Sequence, residues 1–299
     1  MNEKQAGQSQ PGKAVATAAT LNPGRHGHHG RLHGRQIGLA LLLCAAAASA
    51  QALVLGVTEG VTYRASDGEI AARFEGIAES LGRALKQPVS IKVLSSYNDM
   101  RAALRNQSVD LAFIHPTHVA LEGVKGGQFR TLAWTAGFTE YKVSLLCRDD
   151  KPISDWKALS GKKLVTPDPD SITAVVTRAL LREKGLAGSM QLATTRYQDA
   201  VPFYLENQFA DYGATAAKAV LKAWKDKGGQ TCAEARPVPI KYWLVSGKLE
   251  ANQAAIARDT LLGLSHSDSG KKALQTSGYS DFVAPATEAE AGLISWLGL

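Results

Sequence analysis

The chain has 299 residues, 45% of them hydrophobic and 20% charged, with a formal net charge of +7. These values fit a water-soluble globular protein of up to two domains. They exclude a membrane-spanning body, since no apolar run reaches the roughly 20 residues of a bilayer crossing, and no dense Lys/Arg patch of the kind that grips nucleic acid is present.

Residues 1–50 read as a signal peptide. The apolar run 37–50 follows Arg25, Arg31 and Arg35, and Ala48-Ser49-Ala50 has the small-x-small pattern that places a cut after Ala50. His26, His28, His29 and His33 are assigned to a discarded polar leader rather than to a metal tract. Without the leader, 29 Lys/Arg stand against 26 Asp/Glu, a net +3 that favours anionic ligands mildly. Cys44 leaves with the leader, and Leu43 before it argues against a lipoprotein. Cys147 and Cys232 remain, an even pair that an oxidising compartment would join, or two structural thiols.

A short buried strand is predicted over 53–57. It ends in a polar stretch where Thr58 and Glu59 are either ligand groups or a solvated turn. Residues 67–86 predict an amphipathic helix with Ile70, Phe74, Ile77, Ala78, Leu81 and Leu85 on one face, until Pro88 stops it. A second strand covers 89–94. The segment 95–121 then reads as a loop, a helix, a strand and a second loop. Ser96 and Asp99 have capping spacing, so the helix starts at Tyr97 and buries Met100, Ala103 and Leu104. Residues 109–114 form a nearly continuous apolar strand that His115-Pro116-Thr117-His118 ends. Three such β-α repeats predict a doubly wound parallel sheet whose carboxyl edge, where α/β proteins bind ligands, carries Tyr97, His115, Thr117 and His118.

Strands over 131–136 and 141–147 lead out of this first unit. A helical turn within 152–163 precedes a new strand at 164–165, and the loop 166–173 opens a helix that Gly185 stops. Asp170 or Ser171 caps this helix. Its first N–H groups, with the hydroxyls of Ser171 and Thr173, face outward at a positive helix end, where an anion is stabilised. Aspartates in this position serve as caps whether or not a ligand binds. Further on, strand 192–195, helix 199–207, strand 209–213, helix 215–227 and a returning strand 238–245 are expected. The remainder is expected to be helical throughout, over 251–262, 269–275 and 287–299.

No Gly-x-Ser-x-Gly, Walker loop or paired-Cys motif is present, and after the leader only His115, His118 and His266 remain. The sequence therefore predicts no enzyme and no cofactor. His115-x-x-His118 could share a metal with Tyr97 or Tyr141 as oxygen donors, but Pro116 makes the first residue extended and spoils the spacing. Both histidines then serve as polar loop residues.

These features together resemble the periplasmic substrate-binding proteins of phosphonate, phosphite and phosphate ABC transporters. The resemblance covers residues 53–299. It rests on Tyr97 leading a helix, on Val109-Asp110-Leu111-Ala112 followed by His115-Pro116-Thr117, on Gly56-Val57-Thr58 after the first strand, on Tyr141 at the crossover, and on Asp168-Pro169-Asp170-Ser171. The family's Ser-Thr-Ser-Gly is Ser171-Ile172-Thr173-Ala174 here, its Gly-Pro is His115-Pro116, and its second-lobe acid comes one place later, at Asp211.

The resemblance implies an α/β, two-lobed type II periplasmic-binding-protein fold, each lobe a mostly parallel sheet flanked by helices. Lobe 1 would hold residues 51–140 and 242–299, and lobe 2 residues 141–241, with a hinge near 137–148 and 236–246. It implies a monomeric periplasmic protein that captures a small anion for an ABC permease, using Thr58, Glu59, Tyr97, His115, Thr117, Tyr141, Asp170, Ser171, Thr173 and Asp211. Input to a membrane sensor, and metal or metal-chelate capture through His115, His118 and tyrosines, are the alternatives.

Overall fold

The computed structural model describes residues 51–59, 65–148 and 152–299, so the signal-peptide reading of residues 1–50 lies outside it. Strand β1 (Leu53–Thr58) leads to helix α1 (Asp67–Leu85). Ser66 and Glu69 cap this helix reciprocally, each side chain accepting from the other's backbone N–H. Its buried face carries the six residues expected from the spacing. Strand β2 (Val89–Val93) follows, then α2 (Tyr97–Arg105), which begins at Tyr97 because Ser96 Oγ accepts from Asp99 N at 3.0 Å. After β3 (Leu111–Ile114) the expected second loop is instead helix α3 (Thr117–Lys125). Pro116 is the last non-helical residue, and Val119, Ala120, Leu121 and Gly123 give the segment a face to bury.

Strands β4 (Phe129–Thr135) and β5 (Ser144–Cys147) carry the chain into the second sheet. A turn of 3-10 helix, Trp156–Leu159, precedes β6 (Lys163–Thr166) and α4 (Ile172–Glu183). Next come β7 (Gln191–Thr194), a 3-10 turn over Gln198–Ala200 and the short α5 (Val201–Glu206), which admits Pro202 near its start. The next strand is β8 (Tyr212–Thr215), later than expected, because the Phe209 and Ala210 N–H groups bond back to Tyr204 O at 2.8 and 3.1 Å and finish α5.

Helix α6 (Lys218–Asp226) leads to β9 (Gln230–Glu234), a strand the sequence reading lacked. At the edge of its sheet and poor in apolar residues, it offers little hydrophobic pattern to read. Strand β10 (Tyr242–Ser246) returns to the first sheet, preceded by a Tyr141 to Val238 bridge. Helices α7 (Ala251–Leu262), α8 (Asp268–Ser277) and α9 (Thr287–Leu297) follow, with the two-residue strand β11 (Phe282–Val283) interrupting the expected helical tail.

Among the described residues the strands make two sheets, ordered β11-β4-β10-β3-β1-β2 and β7-β6-β8-β5-β9. In each, parallel neighbours (β2-β1-β3, β7-β6-β8) continue into antiparallel ones (β10 and β4; β5 and β9). Both sheets secure their parallel strands in the same way. Val54 N donates to the Asp110 carboxylate and Asp110 N to Val54 O, both at 2.8 Å. Lys163 N donates to the Asp211 carboxylate at 2.8 Å and Asp211 N to Lys163 O at 2.9 Å. A disulfide joins Cys147 on β5 to Cys232 on β9, with Cα atoms 6.0 Å apart.

One face of the first sheet packs on α1, α7 and α8 around Phe74, Phe113 and Trp243. Phe113 centres the aromatic group, its centroid 4.8 Å from Phe74, 5.2 Å from Trp243 and 5.3 Å from Tyr279. The other face packs on α2 and α3, and that core runs on through Leu293 and Leu297 of α9 to Val176 and Leu180 of α4 beside the second sheet. The parallel strands of both sheets thus end around one shared region.

Candidate functional site

A cavity of about 190 Å³ opens where the carboxyl edges of the two sheets meet. Tyr97, His115, Phe138, Ile240 and Lys241 line it from the first sheet and its crossover. Ser171, Ile172, Thr173, Tyr197 and Gln198 line it from the second, with Asp168 and Arg196 among its charged groups.

Five of the expected residues meet there: Tyr97, His115, Tyr141, Ser171 and Thr173. Tyr97 is brought in by the start of α2, and His115 by the end of β3. Ser171 is the N-cap of α4, its Oγ accepting from Ala174 N at 3.2 Å. That bond leaves its own O–H to donate elsewhere. The first-turn N–H groups of Ile172 and Thr173 have no possible partner within the helix. Tyr141 OH lies 2.7 Å from Thr173 Oγ1, so hydroxyls from the crossover and from α4 are already joined. Burial raises the Tyr141 phenol, which stays protonated.

His115 is neutral too. Desolvation, reinforced by the charge of Lys241, pushes it down to about 3. Its Nδ1 lies 2.9 Å from Ile240 O, which can only accept, so Nδ1 carries the proton and Nε2 is an acceptor.

The other expected residues do not line the cavity. Thr58 is buried at the end of β1, where its carbonyl accepts from His115 N. Glu59 is buried against Arg73 and Tyr279, and Arg73 also donates to Ser277 O at 2.6 Å. Thr117 turns inward to Pro239 O, as its place in the first turn of α3 requires. Asp211 stands before β8, at the opposite edge of the sheet, where it holds Lys163 N. Asp170 points to the first sheet's helices: Arg101 Nη1 and Nη2 meet its two oxygens at 2.7 and 2.9 Å, and His118 Nε2 lies 3.1 Å away. Arg101 also donates to Glu122 at 2.7 Å. Burial alone would raise the Asp170 carboxyl, but the Arg101 and His118 hydrogen bonds outweigh it and hold it well below the usual range. His115 and His118 therefore serve different partners.

Other lining residues were not expected, among them Gln198 and Lys241. Gln198 Oε1 accepts from Thr215 Oγ1, Ala216 N and Ala217 N at 2.9, 2.7 and 3.0 Å, fixing its side chain at the end of β8. Lys241 is 2% exposed, with Nζ 3.0 Å from Tyr279 OH and 5.0 Å from the Phe138 centroid. A lone lysine inside the apolar run 238–245 was the signal that could have found it.

The family model for the periplasmic substrate-binding protein of phosphonate ABC transporters matches residues 60–289. Among solved structures, XAC2383 from Xanthomonas citri, bound to ATP, is similar with a TM-score of 0.65 at 16% identity, over 83% of this chain and 96% of that one. PhnD1 from Prochlorococcus marinus, in complex with methylphosphonate, matches with a TM-score of 0.58 at 14% identity, over 82% and 96%. A binding protein component of a phosphonate ABC transporter from Pseudomonas aeruginosa matches with a TM-score of 0.53 at 14% identity, over 82% and 85%. At these identities the likenesses establish the α/β periplasmic-binding-protein fold.

Proposed function

The chain belongs to the periplasmic substrate-binding family of phosphonate ABC transporters, and from that premise we propose that it captures a compact oxyanion of the phosphonate, phosphite or phosphate type. Two lobes, residues 51–140 with 242–299 and residues 141–241, would close over it by hinging near 137–148 and 236–246. The loaded protein would then meet a membrane permease from the periplasmic side, as a monomer and without chemistry on the ligand.

The observation that carries this reading is the amino end of α4 opening on the cavity, with Ser171, Ile172 and Thr173 of its first turn lining the space an anion would take. Size supports it as well. About 190 Å³ falls below the roughly 300–1,000 Å³ that takes drug-sized ligands, and suits a small headgroup.

Titration calorimetry of residues 51–299 with methylphosphonate, phosphite and phosphate tests the proposal. Saturating binding by at least one is expected, and Ser171→Ala should weaken it by about 1.5–3 kcal/mol, the worth of a hydrogen bond to a charged group. Heats from none of these anions would overturn the reading.

A further inference from the structure

We infer that α9 is a strap across the two sheets, and that Glu290 is a proton-dependent pin fastening its amino end to the first. The inference rests on the hinged lobes proposed above, though not on which anion they hold.

The two ends of α9 are held differently. Toward its carboxyl end, Leu293 and Leu297 share a core with Val176 and Leu180 of α4. Arg182 Nη2 donates to Trp296 O at 2.9 Å, Trp296 Nε1 donates to Glu183 at 2.7 Å, and the Arg236 guanidinium lies 4.2 Å from the Trp296 ring centroid. All three of these partners belong to the proposed second lobe. At the amino end, Glu290 is 5% exposed, and its carboxyl meets the side chains of Thr131 and Trp134 from β4 and of Tyr242 from β10. Tyr242 stands across from Trp134 in the first sheet, their ring centroids 6.0 Å apart.

Among the described residues no cation pairs with this acid. The cations that α9 meets, Lys125 of α3, Arg182 of α4 and Arg236, donate instead to Leu299 O, Trp296 O and Gly292 O. Glu288, the other acid of the same turn, is exposed. Glu290 Oε1, Thr131 Oγ1, Trp134 Nε1 and Tyr242 OH are all buried, and none of them completes a hydrogen bond. An ionised carboxylate is costly in such a place, whereas a protonated one carries no charge and gains a donor. Burial accordingly raises the Glu290 carboxyl, against the Thr131 and Trp134 donors, and it raises the Tyr242 phenol as well. Protonated, Glu290 stays seated on β4 and β10. Ionised, it is drawn toward water, and because the far end of α9 is fixed to α4, the tie between the two halves loosens.

Melting curves and calorimetric titrations of methylphosphonate and phosphate, from about pH 5 to about pH 8, compare the wild type with Glu290→Gln, which fixes the neutral form. A carboxyl raised above its ordinary 4.5 costs stability as the pH climbs past that value, because the folded chain keeps the proton longer than the unfolded one. Glu290→Gln should therefore gain on the wild type as the pH rises, melting about 2–4 °C higher at neutral pH. Wild-type affinity should fall roughly threefold further than the variant's over the same range. Other titrating groups, and the ligand's own ionisation, cancel in the difference between the two proteins. Parallel melting profiles, or a variant that folds less well than the wild type at neutral pH, overturn the pin. Diverging melts with parallel affinities overturn the strap. If the wild type binds neither anion, the proposed ligand falls, and small-angle scattering decides the strap instead. Expansion of the wild type with rising pH while Glu290→Gln keeps its dimensions supports it, and equal dimensions overturn it.

Discussion

At their amino edges the two sheets use the same device. Asp110 holds β1 against β3 and Asp211 holds β6 against β8, each carboxylate accepting a neighbouring strand's N–H while the backbone returns a bond. At their carboxyl edges they diverge. The first sheet ends in a buried ionic group of Glu59, Arg73, Tyr279 and Lys241 under an aromatic core. The second ends in the Ser171 and Thr173 hydroxyls and the opening turn of α4, with Asp168 and Arg196 beside them. An acid at a strand's start is thus a matter of strand pairing, whereas the chemistry offered to a ligand differs from one sheet to the other.

The largest expected effect tests whether the first sheet's aromatic core sets its stability. Phe74→Ala removes a fully buried ring beside Phe113 and should cost about 3–5 kcal/mol in urea denaturation. A loss below about 1 kcal/mol would mean that the core closes around the gap.

Among the described residues the second sheet's ring cluster, Phe203, Tyr204 and Phe209, lies at its exposed periphery, and a covalent tie joins two of its strands. Replacing Cys147 and Cys232 together with serine should lower stability by about 2–4 kcal/mol, since the tie closes a long loop of the unfolded chain. An unchanged melting temperature would show that the tie contributes nothing to stability.

Asp110→Ala and Asp211→Ala bear directly on the shared device. Each leaves a strand N–H without its acceptor and should cost about 1–3 kcal/mol while anion affinity stays within about twofold of wild type. A selective loss of affinity in Asp211→Ala would return that acid to the binding site.

The smallest effect concerns the contact between the halves. Asp170→Asn should lower stability by about 1 kcal/mol, the upper range for an ion pair open to solvent. The Asp170 carboxyl is held below its ordinary value of 3.8, so its stabilisation is present above about pH 4 and is lost as the pH falls. The asparagine variant should lack that acid-sensitive component in melting curves recorded from neutral pH downward.

Much of this arrangement was legible in the residues. The face of α1, the start of α2 at Tyr97 and the cap at Ser171 follow from local rules, namely helical spacing and the side chains that accept orphan N–H groups. Tyr97, His115, Ser171 and Thr173 lie where strand-to-helix loops of parallel sheets deliver them, and Tyr141 lies on the crossover. What was not legible depends on distant partners. Glu59 has the look of a loop ligand until Arg73 and Tyr279 are brought beside it from α1 and the chain after α8. Asp211 reads as a site acid until Lys163 N claims it. Lys241 sits in an apolar run, and only the pairing of β10 with β3 reveals that it faces the cavity.

The Arg101 to Asp170 pair has a further consequence for how binding energy is divided. Both partners belong to the chain, so the pull between the two halves is the same whatever occupies the cavity. Under the proposed hinge closure its strength would set the fraction of molecules that are binding-competent, with which observed affinity scales. A stronger pair would tighten every ligand alike, whereas a weaker one would leave closure more dependent on what the ligand itself contributes. Under that proposal the pair would act as a gain control, separate from the groups that would choose the ligand.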